Sequence, residues 1–121
     1  MKFSVNQRDL QNALNYCQGV IEKRSTLPIL SNVLLEAKNE NLKITATDLD
    51  LIFIQNIKNI EIEDEGQTTT SCSIMYDIVR KFNNEKKINF NLMSENKINL
   101  ESDKSSFNLN CLKASEFPIT E

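Results

Sequence analysis

The chain alternates between two hydrophobic rhythms. Phe3 and Val5, with polar Ser4 between them, give the two-residue rhythm of a short strand. From Leu10 the spacing becomes three and four. Leu10, Ala13, Leu14, Cys17 and Ile21 form one apolar stripe, which predicts an amphipathic helix. Asn6 stands at its N-cap, with Asp9 three residues on, a relative of the capping box. Gly19 is placed to end it. The other face, Arg8, Gln11, Asn12, Asn15 and Gln18, is polar and carries no acid past Asp9. Residues 22–28 read as a loop with a basic pair, Lys23 and Arg24, and Pro28 biases Leu27 toward extended backbone. Val33 to Leu35 open a strand. Leu42, Ile44 and Ala46 then alternate with Lys43, Thr45 and Thr47, and a third β-prone run covers 51–57. Polar turns at 38–41 and 48–50 separate these strands.

The second half repeats the plan. Ile60 and Ile62 alternate with Glu61 and Glu63, Gly66 marks a turn, and Thr68 to Thr70 are β-branched. Ser73 is the expected N-cap of a helix over 74–82, whose stripe is Met75, Ile78, Val79 and Phe82. Asp77, Arg80 and Lys81 lie off that stripe, with the two cations in the last turn, where the helix dipole favours them. Three alternating strands follow, around Ile88–Leu92, Ile98–Leu100 and Phe107–Cys111. An offset of about 54 residues lays Ile44 on Ile98 and Phe53 on Phe107. The expectation is a single α+β domain over 1–121, made of two β-α-β-β-β halves (about 1–58 and 59–121), with two helices backed by antiparallel sheets.

Composition narrows the function. With 40% hydrophobic and 26% charged residues the chain is ordinary for a globular domain. Neither a signal peptide nor a membrane-spanning run is present, so the expected location is the cytoplasm. Histidine is absent, which removes the commonest general base and metal ligand. Two glycines cannot build a phosphate-cradling loop. Three dispersed cysteines, with no C-x-x-C pair, suggest neither a disulfide framework nor a zinc site. Cys72 has no histidine to activate it as a nucleophile. The best carboxylate pair, Asp48 and Asp50, is compatible with a cation site or simply with a capped turn. No cofactor is expected, and no catalysis.

The formal charge of −3 argues against tight nucleic-acid binding overall, but not against a local basic strip. If the two helices lie side by side, Arg8, Lys23, Arg24, Arg80 and Lys81 share one surface, while acids such as Glu36, Glu40, Glu61, Glu63 and Glu65 sit on strands and turns. That surface suits weak, sequence-independent phosphate contact. An ordinary solvated helix face is the alternative.

Several stretches together resemble the bacterial DNA polymerase III beta subunit, the sliding clamp. They are Met1–Val5, Arg24–Asn32 (R-S-T-L-P-I-L-S-N), Leu42–Asp50 ending in T-D-L-D, Tyr76–Arg80, Phe107-x-Leu109 and Glu116–Pro118. The resemblance runs in order along nearly the whole chain. It implies a ring of three-domain subunits around duplex DNA that keeps a replicative polymerase processive, with helices inside and sheets outside. It further implies that Arg24 contacts DNA. Lys23, Arg80 and Lys81 would supply basic character there, and Ser73 stands where many members have a basic residue facing DNA. Phe107 and Leu109, with Ile74, match the joint with the third domain of a second subunit, although plain core alternation accounts for Phe107 and Leu109 equally well. Polymerase and clamp-loader peptides would bind in later domains, so this chain alone is expected neither to close a ring nor to hold them. Two other readings stay open: an interaction domain that pairs through the edge strand at 106–111, and a small carboxylate–metal enzyme using Asp48 and Asp50.

Overall fold

The computed structural model describes residues 1–21 and 27–118. Strand β1 (Lys2–Asn6) leads into helix α1 (Gln7–Gln18). The Asn6 side chain caps α1, accepting from the backbone N–H of Arg8 and Asp9. Gly19 ends the helix as expected but with φ −76°, so its role here is not the left-handed cap that favours glycine. A 3-10 turn (Pro28–Ser31) delivers β2 (Asn32–Lys38), which is followed by β3 (Asn41–Thr47) and β4 (Ile52–Ile57). Asn39 and Glu40 join β2 to β3 with both φ values positive, 52° and 63°, the left-handed pair that a two-residue hairpin needs.

The second half runs β5 (Glu61–Asp64), β6 (Gly66–Ser71), α2 (Cys72–Val79), β7 (Lys87–Ser94), β8 (Lys97–Ser102) and β9 (Ser105–Leu112). Three expectations are corrected. Helix α2 starts two residues early, because Ser71 and not Ser73 accepts from the Ile74 N–H. It stops at Val79, so Arg80 is its C-cap and Lys81 and Phe82 follow it. Gly66 opens a strand rather than making a turn. A Cβ there would lie 2.8 Å from the Met1 Cβ, so glycine is what lets β6 pass the chain's first residue.

The strands form one antiparallel sheet in the order β4-β3-β2-β6-β9-β8-β7-β1-β5. The strand that leads into each helix pairs with the first strand of the opposite trio, β1 with β7 and β6 with β2. β9 joins the two parts. Its Ser105–Asn110 stretch pairs with β8, and Cys111 and Leu112 pair with Thr70 and Thr69 of β6. Two hydroxyls reinforce that short junction: Thr69 Oγ1 donates to the Leu112 carbonyl and Thr70 Oγ1 to the Asn110 carbonyl, each at 2.8 Å. One apolar core unites the α1 stripe (Leu10, Ala13, Leu14, Cys17) and Cys72, Met75 and Val79 of α2 with the inward strand residues. Burying these side chains is the main force holding helices to sheet.

Candidate nucleic-acid interface and strand-edge joint

Helices α1 and α2 pack side by side and antiparallel, stitched by uncharged groups. Gln7, at the start of α1, is buried and donates to the Val79 carbonyl at the end of α2, at 2.7 Å, and to Gln11 Oε1. Halfway along, the Tyr76 hydroxyl donates to Asn15 Oδ1 at 3.2 Å. At the far end Ser73 Oγ donates to Gln18 Oε1 at 3.2 Å. These bonds answer the spacing of polar residues on α1 that looks away from the core stripe.

The antiparallel pairing brings Arg8, Arg80 and Lys81 to one end of the helix pair, all three exposed. Arg80 is not a free cation. Its guanidinium donates to Asp77 Oδ1 at 3.0 Å and its Cζ lies 5.0 Å from the centre of the Tyr76 ring. Asp9 also lies beside Arg8, so the described part of this surface is less basic than the bare list of cations suggests. Ser73 is half-buried and engaged with Gln18. Lys23 and Arg24 lie outside the described residues.

On the sheet, the acids carry partners or face solvent. Lys87 donates to Glu61, and this bond and its charge hold the Glu61 carboxyl below its ordinary range. Lys2 lies 3.6 Å from Glu63. The Asp48–Asp50 corner is a turn device. Asp48 Oδ1 accepts from the N–H groups of Asp50 and Leu51 at 3.0 and 2.8 Å, and Thr47 Oγ1 accepts from the Leu49 N–H while donating to the Leu51 carbonyl. These bonds hold Leu49 at φ 83°, a left-handed conformation that costs a leucine about 1–2 kcal/mol. Among the described residues no three carboxylates or thiols converge as metal ligands. Burial pushes the Cys17 thiol up to about 11 and raises Cys111 as well, which leaves both protonated at neutral pH.

The second candidate surface is the β9 edge. Ser105–Asn110 has β8 along one side and, among the described residues, no strand along the other. Phe107 is half-buried, edge-on to the Phe82 ring at 5.7 Å, and Leu109 is buried at 7% exposure. Both therefore follow core alternation, while the strand's backbone remains open to a partner. Ile74 is 54% exposed on α2 and lines a shallow groove along this edge with Asn108, Asn110, Leu112 and Lys97. Its position off the core stripe distinguishes it from the apolar residues around it.

The chain matches, over residues 1–121, the family described as DNA polymerase III beta subunit, N-terminal domain. It is 35% identical over 120 residues to the beta sliding clamp of Caulobacter vibrioides, and 32% identical over 118 residues to that of Escherichia coli K12. Each alignment covers 98% of this chain and 32% of the relative, so the chain spans about a third of the length of the curated proteins it matches. Among solved structures it superposes on the Caulobacter crescentus pol III beta with a TM-score of 0.93 at 35% identity, covering 100% of this chain and 32% of that one. It superposes equally on the Helicobacter pylori beta clamp bound to DNA ligase peptide, with a TM-score of 0.93 at 30% identity, covering 100% and 33%. Sequence and fold agree over the full length of the chain, which belongs to the DNA polymerase III beta subunit family, matching its N-terminal domain.

Proposed function

We propose that this chain is a non-catalytic building block of a cytoplasmic sliding clamp, one domain of a ring that encircles duplex DNA and makes a replicative polymerase processive. The observation that carries the proposal is the antiparallel helix pair, backed by a continuous sheet and presenting a polar, weakly basic side. Lys23, Arg24, Ser73, Arg80 and Lys81 are assigned to that side as phosphate-facing residues. A ring that retains DNA by enclosing it needs mobile contacts more than affinity, so a net charge of −3 is compatible with the role.

The open backbone of β9, with Ile74 beside it and Phe107 and Leu109 fixing its inner face, is assigned as the joint to the third domain of a second subunit. Strand addition supplies the hydrogen bonds, and the Ile74–Leu112 groove supplies apolar contact. The two halves, about 1–58 and 59–121, are read as one unit used twice, since each helix-leading strand pairs into the other half's trio. Polymerase and loader peptides are assigned to domains beyond this one.

The test uses the full-length protein loaded on nicked circular duplex and challenged with rising salt. Combined Arg24→Ala and Arg80→Ala is expected to shorten retention several-fold while leaving the unfolding temperature unchanged. Retention equal to wild type across the salt series would sink the DNA-facing assignment. Dimerisation of this chain through β9 that ignores DNA would favour a plain strand-edge interaction domain.

A further inference from the structure

The helix face holds Arg80 in a specific arrangement. The Tyr76 hydroxyl reaches across to Asn15 on α1, so the ring spans the seam between the helices. Arg80 lies over that ring and is tied to Asp77 three residues earlier. The guanidinium is therefore held over the seam, with a carboxylate alongside that cancels much of its charge. Both side chains are well exposed, 51% for Arg80 and 60% for Asp77, so the pair is open to solvent and to any ligand on this side. A phosphate approaching Arg80 must compete with Asp77 for the same N–H groups and meets the repulsion of its charge. Lys81, next in the chain, is exposed and takes part in none of the ion pairs found among the described residues.

We propose that Asp77 attenuates the phosphate contact of Arg80: it positions the guanidinium over the helix seam while keeping its hold on a polyanion weak and easily exchanged. The inference rests on the reading of this face as the one that meets duplex DNA. Replacing the carboxylate by its amide, in Asp77→Asn, isolates the charge, because the amide oxygen can still accept from Arg80 and keep it in place. Loss of position and loss of attenuation are thus separated by one atom.

The experiment follows the amide and arginine side-chain resonances of this chain during titration with a short duplex of arbitrary sequence, between 20 and 150 mM salt. In wild type, shifts are expected at Arg80 and Lys81. Asp77→Asn is expected to tighten binding about threefold at the lowest salt and to steepen the dependence of log K on log salt by up to about 0.9, the value for one additional neutralised phosphate. Glu101→Gln, exposed on β8 between buried Leu100 and Ser102 and so on the outer side of the sheet, raises the net charge by the same one unit and serves as the control, expected to leave the affinity near wild type. An unchanged or weaker affinity in Asp77→Asn, with the wild-type shifts present, overturns the attenuation alone. If wild type itself gives no saturable shift at Arg80 or Lys81, the DNA-facing reading and this inference fall together.

Discussion

β4 and β9 each carry a phenylalanine that meets a second ring, Tyr16 within α1 for one and Phe82 just past the end of α2 for the other, and the two pairs are finished differently. On β9, Phe107 meets Phe82 edge-on at 5.7 Å, and Phe82 is buried. On β4, Phe53 meets Tyr16 of α1 at 6.4 Å and a 44° tilt, with Tyr16 63% exposed. β9 is also tied to β6 by two backbone pairs and two threonine hydroxyls, whereas β4 ends the sheet with Ile52 and Ile54 substantially exposed. Phe53 and Phe107, 54 residues apart and each on the strand that closes a β-trio, thus have two different energetic roles. What covers the ring decides its contribution, because a contact already wet gains little from the apolar area it shares.

The sharpest test of this contrast removes one ring from each side. Phe82→Ala should cost about 3–4 kcal/mol, and Tyr16→Ala less than about 1 kcal/mol. Urea titration at neutral pH measures both, and equal losses would erase the distinction between the edges. A smaller effect compares the thiols. Cys17 in the α1 core is raised by burial alone, whereas at Cys111 burial is opposed by bonds with Thr68 and Thr70 and by the charge of Lys97. The folded state grips the Cys17 proton more tightly than the unfolded state. Its contribution is therefore complete below about pH 9 and is lost as pH climbs toward about 11. About 2 kcal/mol should disappear over that window. Cys17→Ala should flatten this alkaline decline more than Cys111→Ala does, as seen in denaturant midpoints between pH 8.5 and 11. The smallest effect is at the junction. Thr70→Val removes the donor to the Asn110 carbonyl and should cost about 1 kcal/mol, with faster amide exchange confined to 110–112. Uniform exchange along β4 and β9 would contradict a junction that acts locally.

Much of the fold was legible because it rests on periodicity. The α1 stripe from Leu10 to Cys17 and its Asn6 cap fell where the spacing put them, while Ile21 is buried beyond the helix end, and the late strands kept the offset of 54 that sets Phe107 against Phe53. The helices broke that offset, since α1 begins at Gln7 and α2 at Cys72, 65 residues later. Two differences cause this: α1 has 12 residues against 8 in α2, and 13 residues (19–31) separate α1 from β2 where only 7 (80–86) separate α2 from β7. Thr68 to Thr70 defeated alternation because all three are buried in a central strand, with β2 on one side and β9 on the other. That run carries β6 to Ser71, which then caps α2 in place of Ser73. For the surface, sequence located the cations but not their partners. The three-residue spacing of Asp77 and Arg80 was there to be seen, but the ring beneath the guanidinium and the reach of Tyr76 to Asn15 come only from the packed helices. Ile74 was marked by the resemblance and by its place off the Met75–Phe82 stripe, but the groove it lines beside β9 comes only from the packed structure.

The seam between the helices is closed by amides and hydroxyls, with Gln7 on the Val79 carbonyl, Tyr76 on Asn15 and Ser73 on Gln18. These contacts join neutral amides, hydroxyls and a backbone carbonyl, with no ion pair among them to be screened. The spacing of the two rods is accordingly insulated from the ionic conditions that govern their grip on a polyelectrolyte. Geometry and adhesion are set by separate chemistries, so either can be tuned while the other stays fixed.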